Sequence, residues 1–511
     1  MTGIYMVTGI LVGQGLWAKT YGGTYMDIAT SIVQTSDHGF AVAGYTQSFG
    51  AGLDDFLVFK VDSAGNLNWA RAFGGSSYDR GWAITQTTDG GYAIAGRTRS
   101  FGAGGEDVMV LRLNSSGNLS WARTFGGTEW EFVLLSLVQT TDGGFIMAGG
   151  TYSFGAGSED VLVLKVSSSG NLDWARAFGG TGDEYAYSII QTADGGFAVA
   201  GLTLSFGAGN EDFFVLKIDG AGALSWARTF GGAATDYAWS IVQTADSGFV
   251  VAGVTTGFGM GGNEVLAVKL NPSGDLSWAR TFGQADWDFA YCVTRTADGG
   301  LALGGLTHSC GAGASDLLVM KTDASGWLYG ARTFGLASYD GAFSVAQTTD
   351  GGFTMLGYVW RSGSDYDAIV LRLDPDMNYP NCVQACNLSA MTPSISVSSP
   401  AVTTTSSSLT VMTPSLATAT PNLTVSNVCE PYDVEEKGFG SKGGITCTLT
   451  PGGVLFLSGQ ETLISIYAAD GRLVYCGRIE KGENRINVET GVYLWMAGTE
   501  ACPYKGKAVV R

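Results

Sequence analysis

The groups best able to do chemistry in this 511-residue chain are carboxylates that recur in columns. One column stands seven residues before a recurring strand position held mostly by Gln: Asp27, Asp79, Glu184, Asp236, Asp288 and Asp340, with Phe132 breaking the series in the third copy. A second column holds Asp55, Asp107, Asp160, Asp212, Glu264, Asp316 and Asp367. Carboxylate oxygens suit a hard cation such as calcium, so the first column is a candidate metal ring at a channel mouth. The competing expectation is architectural: each acid accepts backbone N–H bonds from its own loop or from the neighbouring repeat. No D-x-D-x-D-G loop occurs, and the sameness of the columns fits architecture.

A ligand site should break the symmetry of a repeat. The stretch GGTEWEF brings Glu129, Trp130 and Glu131; GQADWDF brings Gln284 and Trp287, with His308 and Cys310 later in the same copy; WRSGSDY brings Trp360 and Arg361. Trp130, Trp287, Trp360 and Arg361 are the candidate ligand contacts, suited to stacking on sugars or peptide side chains. Another aromatic column follows the first acids by three residues: Trp82, Tyr187, Trp239, Tyr291 and Phe343, with Thr30 and Leu135 in the remaining places. Its expected role is packing between repeats, or else lining a channel mouth. Catalysis would need paired carboxylates, for which Glu129 with Glu131 and Asp286 with Asp288 are the candidates. The two histidines, His38 and His308, have no partner visible in the sequence, and no H-E-x-x-H, P-loop or G-x-S-x-G motif occurs.

The elements that must position these residues come from repetition. The phrase W-A-[KR]-x-[FY]-G starts at Trp17, Trp69, Trp121, Trp174, Trp226 and Trp278, and a seventh copy has Gly330 in the Trp place. The intervals are 52, 52, 53, 52, 52 and 52 residues. Within a copy, WARAF, AYSIIQT, GFAVAGLT and DFFVLKID read as strands, with Asp-Gly turns between apolar runs signalling hairpins. Four strands per repeat of about 50 residues predicts an all-β, seven-bladed β-propeller with the SIIQT strand innermost and the Trp strand outermost. The array begins with an outer strand and ends without one. The reading therefore predicts that Trp17–Tyr21 pairs with Ala368–Asp374 and closes the ring, which protects sheet edges.

Composition bounds the partners. The net charge is −18 and no Lys/Arg cluster stands out in the sequence, so nucleic acid and anionic membranes are expected to be poor partners. No apolar run is long enough to span a bilayer as a helix. Residues 1–16 are apolar but carry no Lys or Arg before the apolar part, which leaves a signal-peptide remnant or a lead-in strand as readings.

The phrases DGGFAVAGLT, DFFVLKID and WARTFGG resemble the bacterial beta-propeller repeat family of exported proteins, over residues 17–374. The resemblance implies fold and leaves function open. Residues 375–444 are rich in Ser, Thr and Pro, with a seven-residue repeat (PSISVSS, PAVTTTS, SSLTVMT, PSLATAT, PNLTVSN). An extended stalk is expected there, with short paired strands as the alternative. Residues 445–511 return to strands and are expected to form a small β-sandwich. ISIYAADGRLVY, NRINVETGVYLW and the terminal KGKAVVR resemble the C-terminal sorting domain of type IX secretion cargo, which implies contact with export machinery and a secreted or surface location. Six of eight cysteines, Cys382, Cys386, Cys429, Cys447, Cys476 and Cys502, lie after the array, where disulfides are expected and Cys382-x3-Cys386 is a weak metal signal. The functional expectation is a non-catalytic module presenting one loop face to a glycan or surface protein; the alternative is a polysaccharide-acting enzyme.

Overall fold

The computed structural model describes residues 15–379, apart from 336–337 and 363–364, and beyond them chiefly the backbone of the strands given below. The chain divides into two units, residues 1–430 and 431–511. No helix among the described residues is long and apolar enough to cross a membrane.

The first unit is a seven-bladed propeller. Blade 1 shows how sequence becomes sheet. Its strands are Asp27–Gln34, Phe40–Thr46, Asp55–Val61 and Leu67–Gly74, paired antiparallel in that order from the inside outward. The two middle strands are buried on both faces, because other blades cover each side, and they read as near-continuous apolar runs. Each Asp-Gly turn does make a hairpin, with a left-handed residue such as Gly90 (φ 82°) after the Asp. His38 adopts φ 63° at this place in blade 1, so the departure from Gly there is a turn substitution.

Blade 7 holds only three strands of its own, and the strand Trp17–Gly22 completes it. Trp17 pairs with Arg372, Lys19 with Val370 and Tyr21 with Ala368, as the phase of the array predicts. Two further latches run from blade to blade and a third lies within each blade, and together they explain the repeated phrases. The inner-strand Gln accepts a backbone N–H from the preceding blade's turn, as in Ser36 to Gln86 (2.9 Å), and Thr349 to Gln34 (3.0 Å) closes the circle. The outer-strand Trp packs on the turn glycine of the next blade, so tightly that a Cβ on Gly65 would lie 2.7 Å from the Trp17 ring. At the blade 6–7 junction the sizes are exchanged: Gly330 stands in the Trp place and Met377 (φ 62°) in the glycine place, buried beside Phe334 and Tyr379. Finally, each turn Asp meets a cation from the third strand, such as Asp142 with Lys165 (2.7 Å) or Asp246 with Lys269 (2.9 Å).

The Ser/Thr/Pro segment departs from the expected stalk. Its strands Val383–Cys386, Ser389–Met391, Ser396–Ser398, Thr403–Ser406, Thr410–Met412, Ala417–Ala419 and Thr424–Asn427 add a fifth, outermost strand to blades 6, 5, 4, 3, 2, 1 and 7 in that order. The segment is a belt around the propeller, one seven-residue unit per blade. It cannot bury a core of its own, yet it needs none, because the backbone groups of each outer strand supply a ready edge. A disulfide between Cys310 and Cys386 fixes the belt's first strand to blade 6. Cys386 is thus committed to Cys310, while Cys382 and Cys429 lie outside the described residues, as do residues 1–14 of the apolar N-terminus.

Among the described residues of the second unit are seven strands, the number the sequence predicts, in a three-stranded and a four-stranded sheet. Ile445–Thr450, Gly453–Ser458 and Gly482–Ile486 form the first; Leu473–Ile479, Thr462–Ala468, Gly491–Ala497 and Tyr504–Val510 form the second, in that spatial order.

Deleting residues 1–22 removes a strand that pairs on both edges. The expected result is loss of the single cooperative thermal transition; a calorimetric melt like the parent's would show that closure is dispensable. The disulfide closes a separation of 76 residues, for which chain entropy sets an upper bound of roughly 4 kcal/mol. Cys310→Ser is expected to lower the melting temperature by several degrees with unchanged far-ultraviolet circular dichroism.

Candidate functional site

Loops that precede the inner strands, and loops between second and third strands, share one face of the propeller. Neighbouring blades join there through short parallel bridges, Asp54 to Tyr78 and Glu106 to Trp130. All the residues singled out above as breaking the repeat fall on this loop face, and so do both acid columns.

The first column does not stand open at a channel mouth. Asp27, Asp79, Glu184, Asp236, Asp288 and Asp340 are each 0% exposed. Asp79 accepts from the Gly75 N–H (2.7 Å), the Ser100 hydroxyl (2.6 Å) and the Thr98 hydroxyl. Glu184 likewise accepts from the Gly180 N–H and the Thr203 hydroxyl, and also from the Ser205 backbone N–H. Each carboxylate therefore ties the chain entering its blade to the loop leaving the second strand. The apparent break at Phe132 is filled: Glu131, also 0% exposed, takes Thr151 (2.8 Å) and Ser153 (3.2 Å). The inner strand of blade 3 carries one extra residue, absorbed by a bulge with Leu135 at φ 43°. That residue is why one repeat interval is 53.

The second column faces the first across each junction. Asp55 accepts the Ala51 and Gly52 N–H groups (3.0 and 3.1 Å). Its other oxygen turns toward Asp79 over Gly74, where an added Cβ would meet Asp55 at 1.8 Å and Asp79 at 3.0 Å. Gly179 sits in the same way between Asp160 and Glu184. The final glycine of the W-A-R phrase is thus required by two converging carboxyl groups. Among the described residues, no group of three or more His, Cys, Asp or Glu side chains is arranged to hold a metal ion.

In each candidate catalytic pair one carboxylate is exposed, Glu129 or Asp286, and the other, Glu131 or Asp288, is buried and hydrogen-bonded within its loop. Trp130 (47% exposed) stands at the blade 2–3 junction, its ring 6.3 Å from Tyr152. Trp287 (51% exposed) stands at the blade 5–6 junction beside Phe289 and His308. Trp360 is half-buried in blade 7, and its N–H donates to Asp340 (3.1 Å). The Arg361 side chain lies outside the described residues. The structure therefore spreads these four over three places on one face.

The aromatic column sits at β-bulges that interrupt the inner strands, as between Gly81 and Ala83 around Trp82. A bulge re-aims its side chain. Tyr187, Trp239, Tyr291 and Phe343 contact in sequence from blade to blade, with ring centroids 4.1, 5.2 and 5.9 Å apart. All remain half-buried.

Two features escaped the sequence reading. A third acid column stands immediately before the second, with Asp54, Glu106 and Glu159 buried and Glu211 half-buried; it ends as Asn263, Ser315 and Tyr366. Glu159 is pushed up to about 7 by burial, with the Tyr152 and Tyr185 hydroxyls beside it and Asp183 adding to the rise. The other feature is a cluster of cations in an acidic chain. Arg80, Arg97 and Arg99 meet on blade 2, paired with Asp54 and Glu106. The expectation that no Lys or Arg cluster forms is corrected here, because Arg80 and Arg97 are opposed only once two strands pair.

No family model matches the chain. Over 232 residues it is 28% identical to the regulatory protein FlaEY of Caulobacter vibrioides, a match that takes in 42% of this chain and 22% of that protein. The chain thus spans about a fifth of that relative's length. Among solved structures it is similar to PorZ of Porphyromonas gingivalis, described as an essential bacterial surface component of the type-IX secretion system, with a TM-score of 0.39 and 11% identity over 96% of this chain and 59% of that one.

The paired carboxyls predict a pH dependence. Asp55 and Asp236 are pushed up to about 6, chiefly by burial, with the facing Asp79 and Asp212 adding to the rise. Because their folded values exceed the unfolded ones, the stability they support is complete below about pH 4, falls progressively above that and is lost by about pH 6 to 7. The turn acids act oppositely: Asp142, held near 2 by Lys165 and Thr140, loses its contribution only below about pH 4. That contribution is small, because these acids are exposed and screened. Melting temperature at constant ionic strength should therefore peak near pH 4 and fall by about pH 7, and Asp236→Asn should flatten the fall. A melt that rises steadily to pH 8 would refute this.

Proposed function

We propose that this protein is an exported, non-catalytic binding module whose loop face engages a glycan or a glycan-bearing surface partner. The observation that carries this reading is the exposure of large aromatic side chains on that face: Tyr25 (61%), the neighbouring pair Trp130 and Tyr152, Trp287 and Tyr339 (53%) stand at four places around the ring. Exposed rings forgo burial energy, and flat apolar faces with a polar edge suit stacking on sugars. They stand on loops fastened by buried carboxylates, so the surface is held in shape before any ligand arrives.

Two features support export. The Cys310–Cys386 disulfide fits an oxidising compartment. The phrases ISIYAADGRLVY and KGKAVVR resemble a type IX sorting domain, so the second unit is read as the part that contacts the export machinery.

A glycan array probed with the full chain, with and without calcium, tests the reading. A defined set of bound glycans is expected. Trp130→Ala and Trp287→Ala should each weaken binding about ten-fold or more with no change in the melt. Unchanged binding in both variants would remove these residues from the site, and a blank array with folded protein would overturn the glycan reading.

A further inference from the structure

The seven-fold pattern fails most sharply at the start of the blade 2 hairpin. The cross-strand pair next to the buried acid is apolar or aromatic elsewhere, such as Tyr185 with Leu202 or Phe289 with Leu306. In blade 2 it is Arg80 with Arg97. Like charges directly opposed on one sheet face repel, so the arrangement needs compensation. Arg80 hydrogen-bonds Asp54, and Glu106 takes Arg97 (3.3 Å) and Arg99 (3.4 Å). Three guanidinium groups thus share two carboxylates, which leaves one positive charge on a chain of net charge −18.

Aromatic rings frame that charge. Arg99, the most exposed of the three, lies 5.6 Å from the Tyr78 ring and 5.3 Å from the Trp130 ring. Arg80 lies 4.8 Å from Tyr45, and Arg97 lies 5.6 Å from Trp82. Stacking holds each guanidinium plane in place while leaving in-plane N–H donors for an acceptor. The Nε of Arg97 is buried and has no hydrogen-bond partner in the protein.

We propose that this spoke of the loop face is an anion subsite for the carboxylate of an acidic sugar. The assignment rests on the reading of the loop face as a glycan surface and adds the chemical class of the glycan. One net charge matches one carboxylate, which a guanidinium can bind through two parallel N–H donors. A phosphate dianion would exceed the charge available. Trp130, exposed, stands next to Arg99, and the exposed Tyr152 lies 6.3 Å from the Trp130 ring, so both offer apolar surface to the pyranose that bears the carboxylate. A uronic acid unit combines both features in one ring.

The test uses the full chain and calorimetric titration with an oligogalacturonate, alongside its methyl ester, which has the same sugar with the carboxylates masked. The free acid should bind at least ten-fold more tightly than the ester. Arg99→Gln should lose about ten-fold to a hundred-fold, the range of a charge-assisted hydrogen bond, and rising salt should weaken the acid but not the ester. Arg97→Gln is paired with the double variant Arg97→Gln/Glu106→Gln, so that a folding defect from an unpaired Glu106 is separated from lost binding. The ester comparison needs no variant. Equal affinity for acid and ester overturns the subsite; if Trp130→Ala still abolishes that binding, the loop-face reading stands without it. Failure of both sugars together with a blank array overturns both readings. Binding of poly-glutamate in preference to the oligogalacturonate overturns the sugar assignment.

Discussion

An unpaired sheet edge is the constraint on which this structure depends. A blade leaves a row of backbone donors and acceptors at each lateral edge, and these must be paired or otherwise protected. On the inner side the edge is short and crowded by the neighbouring blades. On the outer side it would be open seven times over. The chain meets that side in two steps: the strand Trp17–Gly22 completes blade 7, and the belt of seven-residue units then lies along every outer strand. Ring closure by the N-terminal strand joins the first and last repeats, so blade 7 cannot form until both ends of the array have been made.

The blade junctions use polar groups in a form that apolar packing alone would not supply. Flat sheets packed face to face can slide, whereas Gln34 accepting from Thr349, or Asp79 reaching Gly75 and Ser100, fixes one register. The buried carboxyl pairs bring a cost in desolvation, which their loop N–H and hydroxyl bonds offset. The cost appears as weakened acidities, Asp55 being a clear case. The same fixing makes the loop face a stiff platform, which suits recognition more than turnover: in the candidate pairs Glu129/Glu131 and Asp286/Asp288, one carboxylate of each is committed to its loop.

Function enters where repetition lapses. Glu131 shows a lapse that the fold repairs, since the bulge at Leu135 restores the acid to its place. Gly330 and Met377 show a lapse repaired by a size exchange across a junction. Arg80, Arg97 and Arg99 are different. Arg80 and Arg97 replace apolar or aromatic positions with like charges, and the three arginines need two acids to be tolerated and still retain a net charge. An arrangement that costs stability without repairing anything is the kind that a ligand explains.

Much of the fold was legible because its determinants are local and periodic. Alternating apolar runs, Asp-Gly turns and the 52-residue beat specify strands, hairpins and blade number, and the phase of the array specifies closure. The seven-residue beat of the belt was equally visible, but its composition is that of a stalk. Its structure comes from hydrogen bonds to outer strands that are progressively more distant in the chain, as far back as Trp17–Gly22, and local composition carries no signal of those. The site was legible in part: Trp130 and Trp287 could be picked out as breaks in a pattern. The arginine cluster could not, because Arg80 and Arg97 lie 17 residues apart and become neighbours only through the strand register. Sequence by itself determined the repeat, its hairpins and its number. Tertiary structure alone decided which side chains meet across a blade junction, because those contacts depend on register and ring closure, which no single repeat contains.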